Sequence, residues 1–268
     1  MNRSLSLLLL ALPLLAPCAF AAELSGTIHS PTGALPADIA VFAERRDKLP
    51  NIVGTIQNGR YRITLPDTGN FKLRLQAKEW EAPPKYIWHP ATAGALDFLI
   101  YPARVPEPAL AEELIRMGKL DQEVRTNIPK EPDREFWKRL EAEDRKREAP
   151  LARIIDEKGW PAISQVGHEA ANSAWLIAQH GTPDFLKRCL PLMRAAAQKH
   201  EMALPSLALS IDRVLMQDGK KQRYGSQFQT DDGGRTRAYP IEDMAQLDER
   251  RASMGLEPFE DYRKRLEN

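Results

Sequence analysis

A change of hydrophobic period at a proline-rich joint constrains this chain more than any other feature. In "YPARVPEPA", Pro102, Pro106 and Pro108 fall close together. Before the joint, apolar residues alternate with polar ones, the two-residue repeat of a half-buried strand. After it they recur every three to four residues, the repeat of a helix with one buried face. One uniform layer cannot satisfy both periods, so the sequence predicts two units: an N-terminal one over 22–103 and a C-terminal one over 110–268. Residues 104–109 form an extended linker between them.

In the first unit, "LSGTIHS", "DIAVFAER", "NIVGTI", "YRITL", "FKLRLQA" and "ALDFLIYP" read as strands. Ile39, Val41 and Ala43 share one face, and Phe71, Leu73 and Leu75 point opposite to Lys72, Arg74 and Gln76. Asn58-Gly59 and Gly69-Asn70 supply the positive φ that tight turns require. Short strands at this spacing predict a small β-sandwich. Trp80, Tyr86, Trp88 and His89 read either as an aromatic contact patch or as an edge loop packing its own rings.

Beyond the joint the pattern is helical. Leu110, Leu114, Met117 and Val124 mark one helix. Phe136, Leu140, Leu151 and Ile155 mark the next, with Asp133 as its N-cap and Gly159-Trp160-Pro161 as its stop. Further helices are expected over 164–179, 183–200 and 205–217. Then comes "KKQRYGSQFQTDDGGRTRAYPIED", which carries amides, glycines and arginines but no run of core residues. It predicts a bulged β-hairpin near 220–241, with Gly225 at a bulge or a close approach of another backbone. A short helix near "IEDMAQLDERRAS" and a tail follow. The fold class expected is thus α+β, a small β-sandwich followed by a mostly α-helical domain with a β-hairpin.

The N-terminus constrains destination. Arg3, the apolar run from Leu5 to Leu15 and Ala19-Phe20-Ala21 form a secretory signal peptide over 1–21. The run is short of the ~20 apolar residues of a spanning helix, and Pro13 and Pro17 interrupt it. Export to the periplasm or the medium is expected, with no transmembrane segment in the mature chain. A lipoprotein reading at Leu15-Ala16-Pro17-Cys18 is a minor alternative, because Pro17 sits where a small flexible residue is wanted. Cleavage leaves Cys189 alone, so no internal disulfide can form. The formal net charge of +1, with both signs interspersed, gives no drive toward nucleic acid.

No G-x-S-x-G, H-E-x-x-H, G-x-G-x-x-G, P-loop or C-x-x-C occurs. No cofactor is expected. What remains is polar groups on apolar stripes. Asp121 continues the stripe of Met117 and Val124, and Asp144 that of Phe136 and Leu140. Burying an unpaired carboxylate costs several kcal/mol. Either Asp121 pairs with Arg125 while Asp144 binds helix-end amides, or both line a cleft as base or metal ligand. His168, Asn172, Trp175 and Gln179 form a polar-aromatic stripe with small residues around it, and His180 ends that helix as a cap or a proton donor. Metal binding by His168, His180 and a carboxylate has no supporting ligand spacing, and no metal is expected. Asp212 and Arg213 precede the hairpin, in which Tyr224 and Gln227 are hydrogen-bonding groups toward a polar ligand or simply its packed and hydrated sides.

Two resemblances enter at this point. "SGTIHSPTGALPADIAVFAE", "GTIQNGRYRITLPDTGNFKLRLQA" and "LDFLIY" resemble the transthyretin-like, carboxypeptidase-regulatory-like β-sandwich domains, a likeness that implies support, spacing or binding for this unit. "DQEVR", "IIDEKGWPAISQVGHEAANSAWLIAQHG", "IDRVLMQDGKKQRYGSQF" and "YPIEDMAQLDERRASMGLEPFEDY" resemble an uncharacterised bacterial domain family. That likeness implies signature positions at Asp121, Gln122, Arg125, Trp160, Gln179, His180, Asp212, Arg213, Gln222, Tyr224, Gly225 and Gln227. Ser226 replaces the family's usual Thr, and His168 stands where an acidic or amide residue is frequent. It implies no activity.

Three functions are expected in order. The first is a helical domain binding a small polar or peptidic ligand through Gln122, Arg125, Trp160, Trp175, Gln179, Asp212, Arg213, Gln222, Tyr224 and Gln227. The second is a hydrolase or transferase with Asp121 or Asp144 as base and His180 as acid. The third is an envelope module whose β-sandwich binds a protein partner.

Overall fold

The computed structural model describes residues 21–45, 49–66, 69–88, 95–129, 132–231 and 234–267. The expected signal peptide and His89 lie outside them, Ala21 excepted. Strands at the N-terminal end and helices after them make an α+β protein. The first sheet takes β4 (Thr55–Gln57), β5 (Arg60–Pro66), β1 (Ala21–His29) and β9 (Phe98–Leu99) in that order. The second takes β3 (Ile52–Val53), β2 (Ala40–Arg45), β6 (Phe71–Gln76) and β8 (Lys85–Ile87). Pairing is antiparallel except β1 with β9. Leu24, Ile28, Tyr61, Ile63 and Leu65 of the first sheet meet Val41, Ala43, Phe71, Leu73, Leu75 and Ile87 of the second in one buried core. The predicted faces of β2 and β6 are therefore the inward ones, because residues two apart share a side of the pleat.

Two strands fall where sequence reading expects irregular chain: β8 and β7 (Trp80–Glu81), the latter paired with β10 (Tyr101–Pro102). "NIVGTI" divides at Gly54, where a Cβ would stand 2.5 Å from the Arg62 carbonyl oxygen. Tyr86 and Trp88 stack at 6.4 Å, beside a surface depression of about 240 Å³ that they share with Glu44, Lys72 and Asn70.

The helical unit comprises α1 (Pro108–Thr126), α2 (Arg134–Lys158), α3 (Ile163–Val166), α4 (His168–His180), α5 (Pro183–Gln198), α6 (Leu204–Gln217), α7 (Leu247–Ser253) and α8 (Phe259–Glu267). Asp133 caps α2 by accepting from the Phe136 N–H at 2.6 Å, as the sequence predicts. The third expected helix breaks in two because Gly167 adopts φ +84°, ending α3 and leaving α4 to start afresh. Helices α1 and α4 pack closely at Gly118, where a Cβ would lie 2.4 Å from the Ser173 hydroxyl. Strand β11 (Phe228–Thr230) pairs with β12 (Thr236–Ala238). The hairpin is thus shorter than expected, and residues 220–227 wrap as a loop instead. Helix α8 was not expected, since "FEDYRKRLE" carries too few apolar residues to announce it.

The prolines do not form a free spacer. Pro102 lies in β10 and Pro108 opens α1, while the Glu107 N–H donates to the Gln165 carbonyl at 3.1 Å. Leu99 and Tyr101 are buried in the helical core. The Tyr101 hydroxyl receives the His168 N–H at 3.0 Å and donates to Glu81 at 3.1 Å. Among the described residues no helix is long and apolar enough to cross a membrane.

Candidate functional site

The polar residues that sequence analysis places on helical stripes converge where the ends of α1 and α4 meet the middle of α2. Asp121, on the buried face of α1 that also carries Leu114, Met117 and Gly118, is only 1% exposed. Its Oδ2 faces His180 Nδ1 at 2.9 Å and accepts from Gln122 Nε2 at 2.8 Å, while Oδ1 accepts from Arg125 Nη1 at 3.0 Å. Arg125 Nη2 reaches across to Asp144 of α2 at 2.9 and 2.8 Å. Arg147, one turn on, donates to Asp144 at 2.8 Å, and its buried Nε has no hydrogen-bond partner among the described residues, lying 3.6 Å from Asp121 Oδ1. The Asp121 to Arg125 pair is the bland reading realised. Asp144, however, binds guanidiniums rather than helix-end amides.

Burial pushes the Asp121 carboxyl upward, but the hydrogen bond and charge of His180, then Arg125 and Gln122, outweigh it and hold it below the usual carboxylate range. An ionised Asp121 accepting at Nδ1 fixes the imidazole as the Nδ1–H tautomer. Nε2 of His180 then carries no bond to the described residues and is the atom free for proton transfer.

Helix α6 extends the cluster. Ser210 links Trp175 Nε1 at 3.0 Å to Gln179 Oε1 at 2.9 Å. Arg213 donates to the Gln179 carbonyl at 3.1 Å and to Gln227 Oε1 at 3.3 Å. These acceptors are neutral, and no carboxylate among the described residues pairs with Arg213. Burial first, then the nearby Arg125 charge, lower its proton affinity.

Asp212 on the same helix organises the loop. Its carboxylate, 0% exposed, accepts the N–H groups of Arg223 at 2.7 Å, Tyr224 at 3.0 Å and Ser226 at 2.9 Å. Gln222 is also fully buried. Its amide donates to the Gln227 and Tyr239 carbonyls and its oxygen accepts the Gln227 N–H at 2.8 Å. Gly225, at φ +64°, is crowded by the side chains of Phe259 and Ile241 rather than by another backbone. Arg251, 1% exposed, seals the far side by donating to the Tyr224 and Glu257 carbonyls at 2.5 and 2.6 Å.

The structure therefore brings together Asp121, Gln122, Arg125, Asp144, Gln179, His180, Arg213 and Gln227, with Trp175 joined through Ser210. Asp212 and Gln222 hold the loop from inside, and the Tyr224 ring packs in the helical core. Trp160 lies apart, near His168 and Asn172, at a second small cavity. Sequence reasoning missed Arg147 and Arg251. Arg147 follows Asp144 by three residues on one helix face, a signal that was legible. Arg251 could be found only through the carbonyls it reads.

The arrangement defines a class first: a helical domain, closed by a loop wound around a buried carboxylate, that carries a two-carboxylate, three-guanidinium cluster with a histidine at its edge. The family model for the family of unknown function DUF6624 matches residues 108–268, starting on the first residue of α1. The chain belongs to that family. No curated protein and no solved structure matches it.

Proposed function

We propose that this is an exported protein whose helical domain binds a small polar ligand through an anionic group. The carrying observation is Arg213. It is half-buried, bonded among the described residues only to neutral acceptors, and it stands beside a set in which Asp121 and Asp144 are already matched by Arg125 and Arg147. The cluster thus has one guanidinium in excess, and a carboxylate or phosphate supplies the charge it lacks with a forked pair of hydrogen bonds. Gln122 and His180, both on Asp121, and Gln227, on Arg213, would fix the ligand's polar remainder.

Calorimetric titration of the mature protein with acidic periplasmic metabolites and peptidoglycan fragments, each beside its amidated counterpart, tests this. Binding of an acid but not its amide, abolished in Arg213→Gln, is expected. Equal response to both forms, or none to either, would remove the proposal.

A second reading rests on the 2.9 Å contact of Asp121 with His180: the site transfers protons as a hydrolase or transferase, with His180 Nε2 acting and Asp121 orienting it. Turnover that disappears in His180→Gln while ligand binding persists separates catalysis from binding alone. The signal-like N-terminus supports export, and periplasmic fractions should hold a chain beginning at Ala22. The transthyretin-like resemblance supports a spacing or binding role for the β unit, with the exposed Tyr86 and the half-buried Trp88 stacked beside it as its contact face.

A further inference from the structure

Three residues far apart in sequence meet where the β unit abuts the helices, away from the cluster described above. His29 is the last residue of β1, Asp97 precedes β9, and His200 follows α5. Each offers one donor atom, and these atoms lie within 4.8 Å of one another. We propose that His29, Asp97 and His200 form a binding site for a first-row divalent cation such as Zn2+, which would clamp the two units of the chain together.

The two imidazoles stack at 4.1 Å between ring centres with planes 17° apart, an approach that two protonated rings would resist. Nε2 of His29 is buried, has no hydrogen-bond partner among the described residues, and lies 3.6 Å from Asp97 Oδ2, beyond bonding reach. A buried polar atom without a partner calls for an explanation, and a bound ion supplies one here. Asp97 is oriented for the task because its other oxygen accepts the Thr27 N–H at 2.7 Å, the outer support that ligating carboxylates normally have. His200 sits at φ +61°, a left-handed conformation sparsely populated by residues other than glycine and persisting where the surroundings enforce it.

Charge in the neighbourhood agrees. Burial, then the adjacent His29, lower the proton affinity of His200. Burial raises the proton affinity of Asp97, but the Thr27 N–H and His29 outweigh it and lower it overall. Of the other charged groups felt here, Glu201 favours a cation and Lys85 opposes one. Lys85 is itself driven toward its neutral form, chiefly by burial. Two imidazole nitrogens and one carboxylate suit zinc, copper or nickel rather than magnesium or calcium, and three protein ligands leave a fourth position open to water or a small anion.

The test uses the tag-free mature chain. Titration with ZnCl2 is expected to saturate at one equivalent, and Co2+ should give the visible absorption of a low-symmetry nitrogen and oxygen site. His29→Gln, Asp97→Asn and His200→Asn, the last chosen because asparagine tolerates the left-handed backbone, should each abolish the stoichiometric step while leaving the circular dichroism unchanged. Should a variant fail to fold, acylation of histidines in the wild-type protein decides: Zn2+ must protect His29 and His200 and leave His180 as reactive as before. Sub-stoichiometric wild-type binding, unchanged binding in the His29→Gln/His200→Asn double variant, or no selective protection would overturn the proposal.

Discussion

Replacing Asp212 by Asn removes one charge and almost no volume, so its effect isolates what the carboxylate does for the loop. Three backbone N–H groups point at it, those of Arg223, Tyr224 and Ser226, and all four residues but Arg223 are buried. An Asn oxygen can keep the bonds from Arg223 and Tyr224. Its NH2 must then face the Ser226 N–H, donor against donor. A charge-assisted bond worth about 1.5–3 kcal/mol is lost and a buried N–H costing about 1–3 kcal/mol is stranded, which makes about 4 kcal/mol. For a chain of this size each kcal/mol lowers Tm by roughly 2–4 °C, so a fall of about 8–16 °C is expected by circular dichroism. Limited proteolysis should cut first between Lys220 and Phe228. Asp212→Ala, stranding all three donors, should fall further. A Tm for Asp212→Asn within about 2 °C of wild type would refute the account of this loop as a backbone nest around a carboxylate.

Asp121 titrates below its unfolded value, so the unfolded chain binds more protons and this part of stability rises with pH. It should be present above about pH 4 and vanish as pH falls through the folded pKa. Urea midpoints measured down to about pH 3 should fall more steeply for wild type than for Asp121→Asn. Gly118→Ala gains about 1 kcal/mol of helix propensity, yet its Cβ would meet Ser173 at 2.4 Å. A net loss of about 1–3 kcal/mol in chemical denaturation is expected. Gly225→Ala, which faces Phe259 at 2.9 Å in a left-handed backbone, should lose about as much and release α8 to hydrogen exchange.

Periodicity made the larger architecture legible. The inward faces of β2 and β6, the N-cap at Asp133 and the stop at Gly159 all follow from local rules. Strands β7 and β8 escaped because each is two or three residues long and is held by partners elsewhere in the chain. Gly167 escaped because a glycine within an apolar pattern does not reveal its φ. At the polar cluster, stripe analysis placed Asp121 and Asp144 on buried faces, but their shared partner is Arg125, and only the crossing of α1 and α2 creates that relation. The loop's central device was hidden in the same way: Gln222 and Tyr224 read as ligand-facing groups, while the Tyr224 N–H is spent on Asp212 and the Gln222 side chain on the backbone of Gln227 and Tyr239. His29, Asp97 and His200 carried no signal, since ligand spacing can be read only when one element supplies at least two of the donors.

Tyr101 gives the joint between the units a further consequence. Its ring fills space in the helical core, and its hydroxyl serves α4 on one side and β7 on the other. Severing the chain at the prolines would strip the helices of a filler and the His168 N–H of its acceptor at once. The two halves should accordingly melt in a single calorimetric transition, with neither behaving as an interchangeable cartridge. A relative that carries the helical domain without this β unit must plug the same socket with another aromatic group, and that substitute should be found in whatever precedes its first helix.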